Sequence, residues 1–203
     1  HWRASGLIPP QRATFPAIKR VDRLIVVSGS ASPMTASQIQ WAAEHGFDCL
    51  RAPTQALCDP QSAAATAKKV FEQALASLAS GKSVVVYTAA GPDDPTIRAT
   101  RETLASNAGN SAKLLGGALG RIARDLLERT GLRRVVVAGG DTSSYATQEL
   151  GLYGLEMLGE LTPGAPLCRG YSEDPRFDGL EIALKGGQMG KPDYFGMARG
   201  DRQ

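Results

Sequence analysis

Short apolar runs alternate with helically spaced apolar stripes along most of this chain. Residues 23–27 read RLIVV, a run of strand length that ends at Ser28-Gly29-Ser30-Ala31-Ser32. Ser32 as an N-cap with Pro33 behind it predicts a helix start, and that helix runs to about His45, where Gly46 closes it. Asp48–Arg51 reads as a second, weaker strand. Asp59-Pro60 then opens a helix whose apolar residues, from Ala63 through Val70, Phe71 and Ala74 to Leu78, recur at gaps of three and four until Gly81. Ser83–Thr88 (SVVVYT) is apolar without alternation, as expected of a strand buried on both faces.

The stretch AAGPDDPTIRATRETLASNAGN from residue 89 to 110 is polar and reads as a long loop. Leu114 to Leu127 restores the helical period, and Gly131 ends it. Arg133–Ala138 is the next strand, and Thr142–Leu150 fits a further helix. Repeated strand–helix units of about thirty residues predict a parallel sheet wrapped by helices. Beyond Gly154 the helices drop out, and 155–161, 167–169 and 180–185 read as short strands added in antiparallel or mixed sense. The expectation is an α/β fold: a mainly parallel, Rossmann-like sheet with helices on both faces. Residues 1–22, with Pro9, Pro10 and Pro16, read as a connector to a domain spanning 23–203.

Composition narrows the function classes. With 42% hydrophobic and 21% charged residues among 203, the chain can build an ordinary core. A net charge of +3 without a long run of one sign gives no footprint for nucleic acid or a membrane surface. Cys49, Cys58 and Cys168 lack C-x-x-C spacing, and with His1 and His45 as the only histidines a zinc site is not expected. Reduced thiols fit a cytoplasmic protein. No apolar stretch reaches about 18 residues, no signal peptide is evident, and the missing initiator Met suggests a piece of a longer protein.

Candidate chemistry gathers at strand ends, where open α/β sheets bind ligands. Gly139, Gly140, Asp141, Thr142 and Ser143 form a glycine-rich turn into a helix, so bare amides, the positive helix end and two hydroxyls would suit a phosphate. A plain tight turn with Asp141 or Thr142 as the cap accounts for the same residues. Ser28 and Ser30 repeat the pattern at the end of the first strand, where Ser32 is accounted for as a helix cap. Lys185 ends an apolar run before Gly186, Gly187 and Gly190, placed either to meet phosphate as a point charge or to sit solvated on a turn. Asp93, Asp94 and Asp141 are candidates to hold Mg2+ through water. The Walker, dinucleotide and G-x-S-x-G fingerprints are all absent.

Taken in order, RLIVVSGSASPMTASQIQWAAEHGFD, VVVAGGDTSS, LTPGAPL and LEIALKGGQMGKPDYF resemble the carboxyl-terminal nucleotide-binding domain of the four-carbon acid sugar kinases, the threonate, erythronate and 3-oxo-tetronate kinases among them. The resemblance covers about Arg23 to Phe195 and is most specific in GGDTS and LKGGQMG. It implies ATP-dependent phosphorylation of a sugar-acid hydroxyl, with Ser30, Gly139, Gly140, Asp141, Thr142 and Gly187 at positions that match ATP contacts. Ala31 stands where members often carry Cys, and Gly186 and Gln188-Met189 stand where Ser and Asn-Phe are frequent. The family's amino-terminal domain, with its Asp-Asp-x-Thr-Gly type motif, acid-sugar site and base, has no counterpart in these residues. The fragment is therefore expected to bind Mg2+ and ATP but to be inactive alone, as half of a kinase roughly twice as long that is able to form homo-oligomers. A non-catalytic sensor of sugar phosphates is the competing reading.

Overall fold

The computed structural model describes residues 5–7, 15–104 and 111–201. In chain order the elements are β1 (Ile25–Ser28), α1 (Pro33–Glu44), β2 (Phe47–Arg51), α2 (Thr54–Cys58), α3 (Ala63–Ala79), β3 (Ser83–Tyr87) and α4 (Pro95–Leu104). After residue 110 come α5 (Ser111–Thr130), β4 (Arg134–Ala138), α6 (Gly140–Glu149), β5 (Leu152–Gly159), β6 (Leu167–Ser172), β7 (Glu181–Lys185) and α7 (Tyr194–Arg199).

One sheet of seven strands runs in the order β2-β3-β1-β4-β7-β6-β5. The first five of these are mutually parallel, and β6 and β5 extend the sheet antiparallel. The expected architecture is therefore the observed one. Unbroken valine runs are explained by burial from two sides: Val84, Val86, Val135 and Val137 enter one core with α3, α5 and α6. Val26, Val85 and Val136 enter the other, with α1 and α7. Alternate side chains of a strand leave opposite faces, so a strand covered on both needs apolar residues throughout.

Two local expectations are corrected. The polar stretch after β3 holds helix α4 over Pro95–Leu104 and is not wholly loop, while residues 105–110 lie outside those described. Its few apolar residues hid the period; the helix is seated by a 2.6 Å hydrogen bond between the buried hydroxyls of Thr54 and Thr100. The helix expected from Asp59-Pro60 starts at Ala63, because the Asp59 carboxylate accepts from Gln61 N–H and Ser62 Oγ and holds a turn there. The short helices α2 and α7 carry too few residues for a period to show.

At the amino ends of the strands, residues 15–22 form neither helix nor strand but lie against the domain. Val21 N–H donates to Arg199 O, and Lys19 O accepts from the buried Arg134 guanidinium.

Candidate functional site

Four carboxyl ends stand side by side in register: Tyr87 of β3, Ser28 of β1, Ala138 of β4 and Lys185 of β7. The helix after β1 packs in one core and the helix after β4 in the other. The chain therefore leaves the sheet in opposite directions between β1 and β4, which opens a crevice where α/β sheets bind ligands.

The turns lining this crevice interlock. Gly29 N–H donates to Ala138 O at 3.0 Å and Gly139 N–H to Lys185 O at 2.9 Å. A Cβ on Gly29 would lie 2.1 Å from Thr142 Oγ1, and one on Gly187 would lie 2.7 Å from Ser30 Oγ. Gly139 has φ +117°, which side chains rarely adopt, and a Cβ there would lie 3.3 Å from Ser30 N. These glycines let three loops touch through their backbones. The GGDTS and LKGG segments are thus neighbours.

Helix α6 begins at this junction with Gly139 in the cap position and no side chain capping it. The expectation that Asp141 or Thr142 caps the helix is corrected: both lie within its first turn, because the positive φ of Gly139 turns the chain into the helix earlier. Ser143 N–H is the first to bond back, to Gly139 O at 2.8 Å, so the amides before it have no intrahelical partner. Around Gly140 the space is open to 4 Å. The Thr142 side chain is largely buried against Gly29, and its hydroxyl has no hydrogen-bond partner among the described residues. Asp141 is exposed at the rim. A cavity of about 270 Å³ opens here, lined by Gly29, Thr88, Thr100, Leu115, Asp141 and Thr142. A larger one of about 700 Å³ lies at the other end of the sheet, between residues 15–20 and Met197, away from every predicted site residue.

Three candidates have other work. Ser28 is wholly buried, and its Oγ accepts from Ser30 N–H. Ser143 Oγ donates to Gly139 O at 2.7 Å, so this hydroxyl is spent inside the helix. Lys185 is neither solvated nor exposed to the crevice. It is 1% accessible, and its Nζ donates to Thr35 Oγ1 at 2.9 Å and Gly187 O at 3.2 Å. Burial lowers its pKa from the usual lysine value to about 8. Gly186 is exposed beside it. In the sequence Thr35 of α1 is not singled out and Ser32 reads only as the helix cap, yet both bind the Gly187 carbonyl; a helix start offers no sign of a partner 152 or 155 residues away.

The acidic residues divide. Asp94 accepts from Ala90 N–H, Thr96 N–H, Thr96 Oγ and Arg51, and is saturated. Burial pushes its pKa up, but those bonds outweigh it and hold the carboxyl well below the usual range. No group of three or more His, Cys, Asp or Glu that could hold a metal occurs among the described residues. Asp141 is left as the exposed carboxylate at the crevice, which fits a magnesium ion carried mainly by phosphates and water.

The chain is similar to known proteins. Residues 25–195 match the family described as the nucleotide-binding C-terminal domain. The chain is 45% identical to a 3-oxo-isoapionate kinase of Paraburkholderia graminis, covering all of this chain and 43% of that protein. It is 34% identical to a 3-oxo-tetronate kinase of Cupriavidus necator, over 96% of this chain and 42% of the relative. A crystal structure of a Haemophilus influenzae protein superposes with TM-score 0.70 at 26% identity, over 98% of this chain and 44% of that one. The chain thus spans less than half the length of these relatives.

Proposed function

Because this chain belongs to the family of nucleotide-binding C-terminal domains carried by the four-carbon acid sugar kinases, we propose that it is the ATP-binding half of a cytoplasmic kinase for a sugar acid. The relatives' substrates, 3-oxo-tetronate and 3-oxo-isoapionate by their names, set the class. One observation carries the reading: a helix amino end without a side-chain cap, opening onto unfilled space at Gly140, where the chain turns away from the sheet on both sides. Free amides and the positive end of α6 favour a polyanion there. The Thr142 hydroxyl adds a donor, and Gly29, Gly139 and Gly187 keep side chains out of the backbone's way.

Phosphoryl transfer asks the protein mainly for positioning and charge stabilisation. In this reading the α6 amides hold the terminal phosphates, Asp141 orients Mg2+ through its waters, and the crevice beside Leu115 and Thr100 receives the rest of the nucleotide. Acid-sugar binding and the general base belong to a second domain, so this domain alone binds nucleotide without turnover. Calorimetric titration of the chain with Mg-ATP, beside a panel of sugar phosphates, tests it. Binding of the nucleotide in preference to the sugar phosphates is expected; no heat at millimolar Mg-ATP sinks the proposal.

A further inference from the structure

Two buried cations sit at opposite ends of the β4–β7 pair. At the amino end the Arg134 guanidinium, 2% accessible, meets Glu181 at 2.6 Å and also bonds Lys19 O and Ala198 O. At the carboxyl end Lys185 is as deeply buried, yet among the described residues no carboxylate lies within ion-pair distance; both its acceptors are neutral. A buried ammonium without a counter-charge is unfavourable, and a methionine would fill similar space without the desolvation cost.

The ammonium biases the direction of the hydrogen bonds around it. An ammonium only donates, so Thr35 Oγ1 accepts from it. Three donors converge on the Gly187 carbonyl: Ser32 Oγ, Thr35 Oγ1 at 2.9 Å and Lys185 Nζ at 3.2 Å. Its two lone pairs cannot serve all three donors, and with the ammonium and Ser32 on them the single Thr35 proton turns to Ser30 Oγ at 3.1 Å. Ser30 Oγ also accepts from Ser32 N–H at 3.2 Å. With both acceptor positions occupied, its own O–H is left to donate, at the junction with Gly139 and Gly187.

We propose that Lys185 and Thr35 are positioning residues, a one-way relay that fixes the Ser30 hydroxyl as a donor to the bound phosphate without touching it. This rests on the reading of the crevice as the nucleotide site. The lysine sets the polarity of the chain, and each donor in such a chain strengthens the next. Without the ammonium, Thr35 is free to donate to the vacated lone pair of Gly187 O, and the Ser30 hydroxyl can turn inward to Thr35. The missing counter-charge of Lys185 is then the nucleotide itself, one layer of hydroxyls away.

Affinity and stability should move apart, and that separates positioning from a structural role. The affinity of the chain for Mg-ATP is measured by calorimetry and its melting temperature by calorimetric scan, for wild type, Lys185→Met, Thr35→Val, their double variant and Thr35→Ser. Lys185→Met is expected to weaken binding about tenfold or more while its melting temperature holds or rises. Thr35→Val loses a similar factor, the double variant binds no worse than the weaker single within about twofold, and Thr35→Ser, which keeps the hydroxyl, stays within about threefold of wild type. Unchanged affinity in Lys185→Met overturns the relay and leaves the nucleotide site standing, as does a parallel loss of affinity and melting temperature. If wild type itself fails to bind Mg-ATP, the site reading falls and the relay falls with it.

Discussion

Helices α4 and α6 follow the carboxyl ends of β3 and β4, the parallel strands on either side of β1, and they begin in opposite ways. At α4 the Asp94 carboxylate takes Thr96 N–H and Ala90 N–H and pairs with Arg51 at 2.7 Å. The anion that this helix end favours is already built in. Helix α1, after β1, is closed similarly by Ser32, which accepts from Thr35 N–H at 3.1 Å. Only α6, of these three, starts on a glycine with no capping side chain. Helix ends of one sheet edge are thus not equivalent: capped ends hold the frame, and the uncapped one has its donors free for a ligand.

Substitutions can break this contrast, and they are ordered here by expected effect. Gly139→Val forces a branched residue to φ +117° against Ser30 N and Thr142; it should cost roughly 3 kcal/mol or more of stability, read by denaturant unfolding, and abolish detectable nucleotide binding. Asp94→Ala should destabilise by roughly 2–3 kcal/mol, because it orphans two amides and Arg51, while nucleotide affinity stays near wild type. A large loss of affinity with intact folding would contradict the assignment of α4 to the frame. The Asp94 carboxyl is held below its ordinary pKa in the folded chain. Its contribution is therefore present above about pH 4 and is lost as pH falls through the folded value. Acid unfolding of Asp94→Asn should show a shallower pH dependence than wild type.

Smaller effects sharpen the picture on the open side. Gly29→Ala drives a methyl into Thr142 Oγ1 and should cost roughly 1–2 kcal/mol. Adding Thr142→Ala removes that oxygen and should restore the melting temperature without restoring affinity, which separates packing from recognition. Ser143→Ala removes a hydroxyl bonded within the helix and should stay within about 0.5 kcal/mol of wild type, with unchanged Mg-ATP affinity by titration. A marked loss there would return Ser143 to the ligand.

The sheet was legible because valine runs of strand length and leucine stripes of helical period are local signals, and each reflects the surface it must bury. The same patterns hid α4, whose polar sequence is seated by one threonine pair and by Asp94. At the site the glycines and small hydroxyls of SGSAS, GGDTS and LKGG could be read as a group, since backbone approach needs those residue types wherever they occur. Which hydroxyl faces outward could not. Ser28, Thr142 and Ser143 look alike in the chain, yet one lies buried in a strand, one opens to the crevice and one bonds its own helix.

By itself, then, the sequence determined the alternation of elements, burial on both faces of the sheet, and the places where backbone must lie bare, because these depend on residues close along the chain. Tertiary structure alone decided the fate of Lys185. At the end of a strand its side chain could have faced water, ligand or core, and it points inward because a threonine 150 residues earlier in the chain is brought to 2.9 Å from its ammonium. A contact at that separation leaves no periodic trace, since only the folded sheet brings α1 against β7.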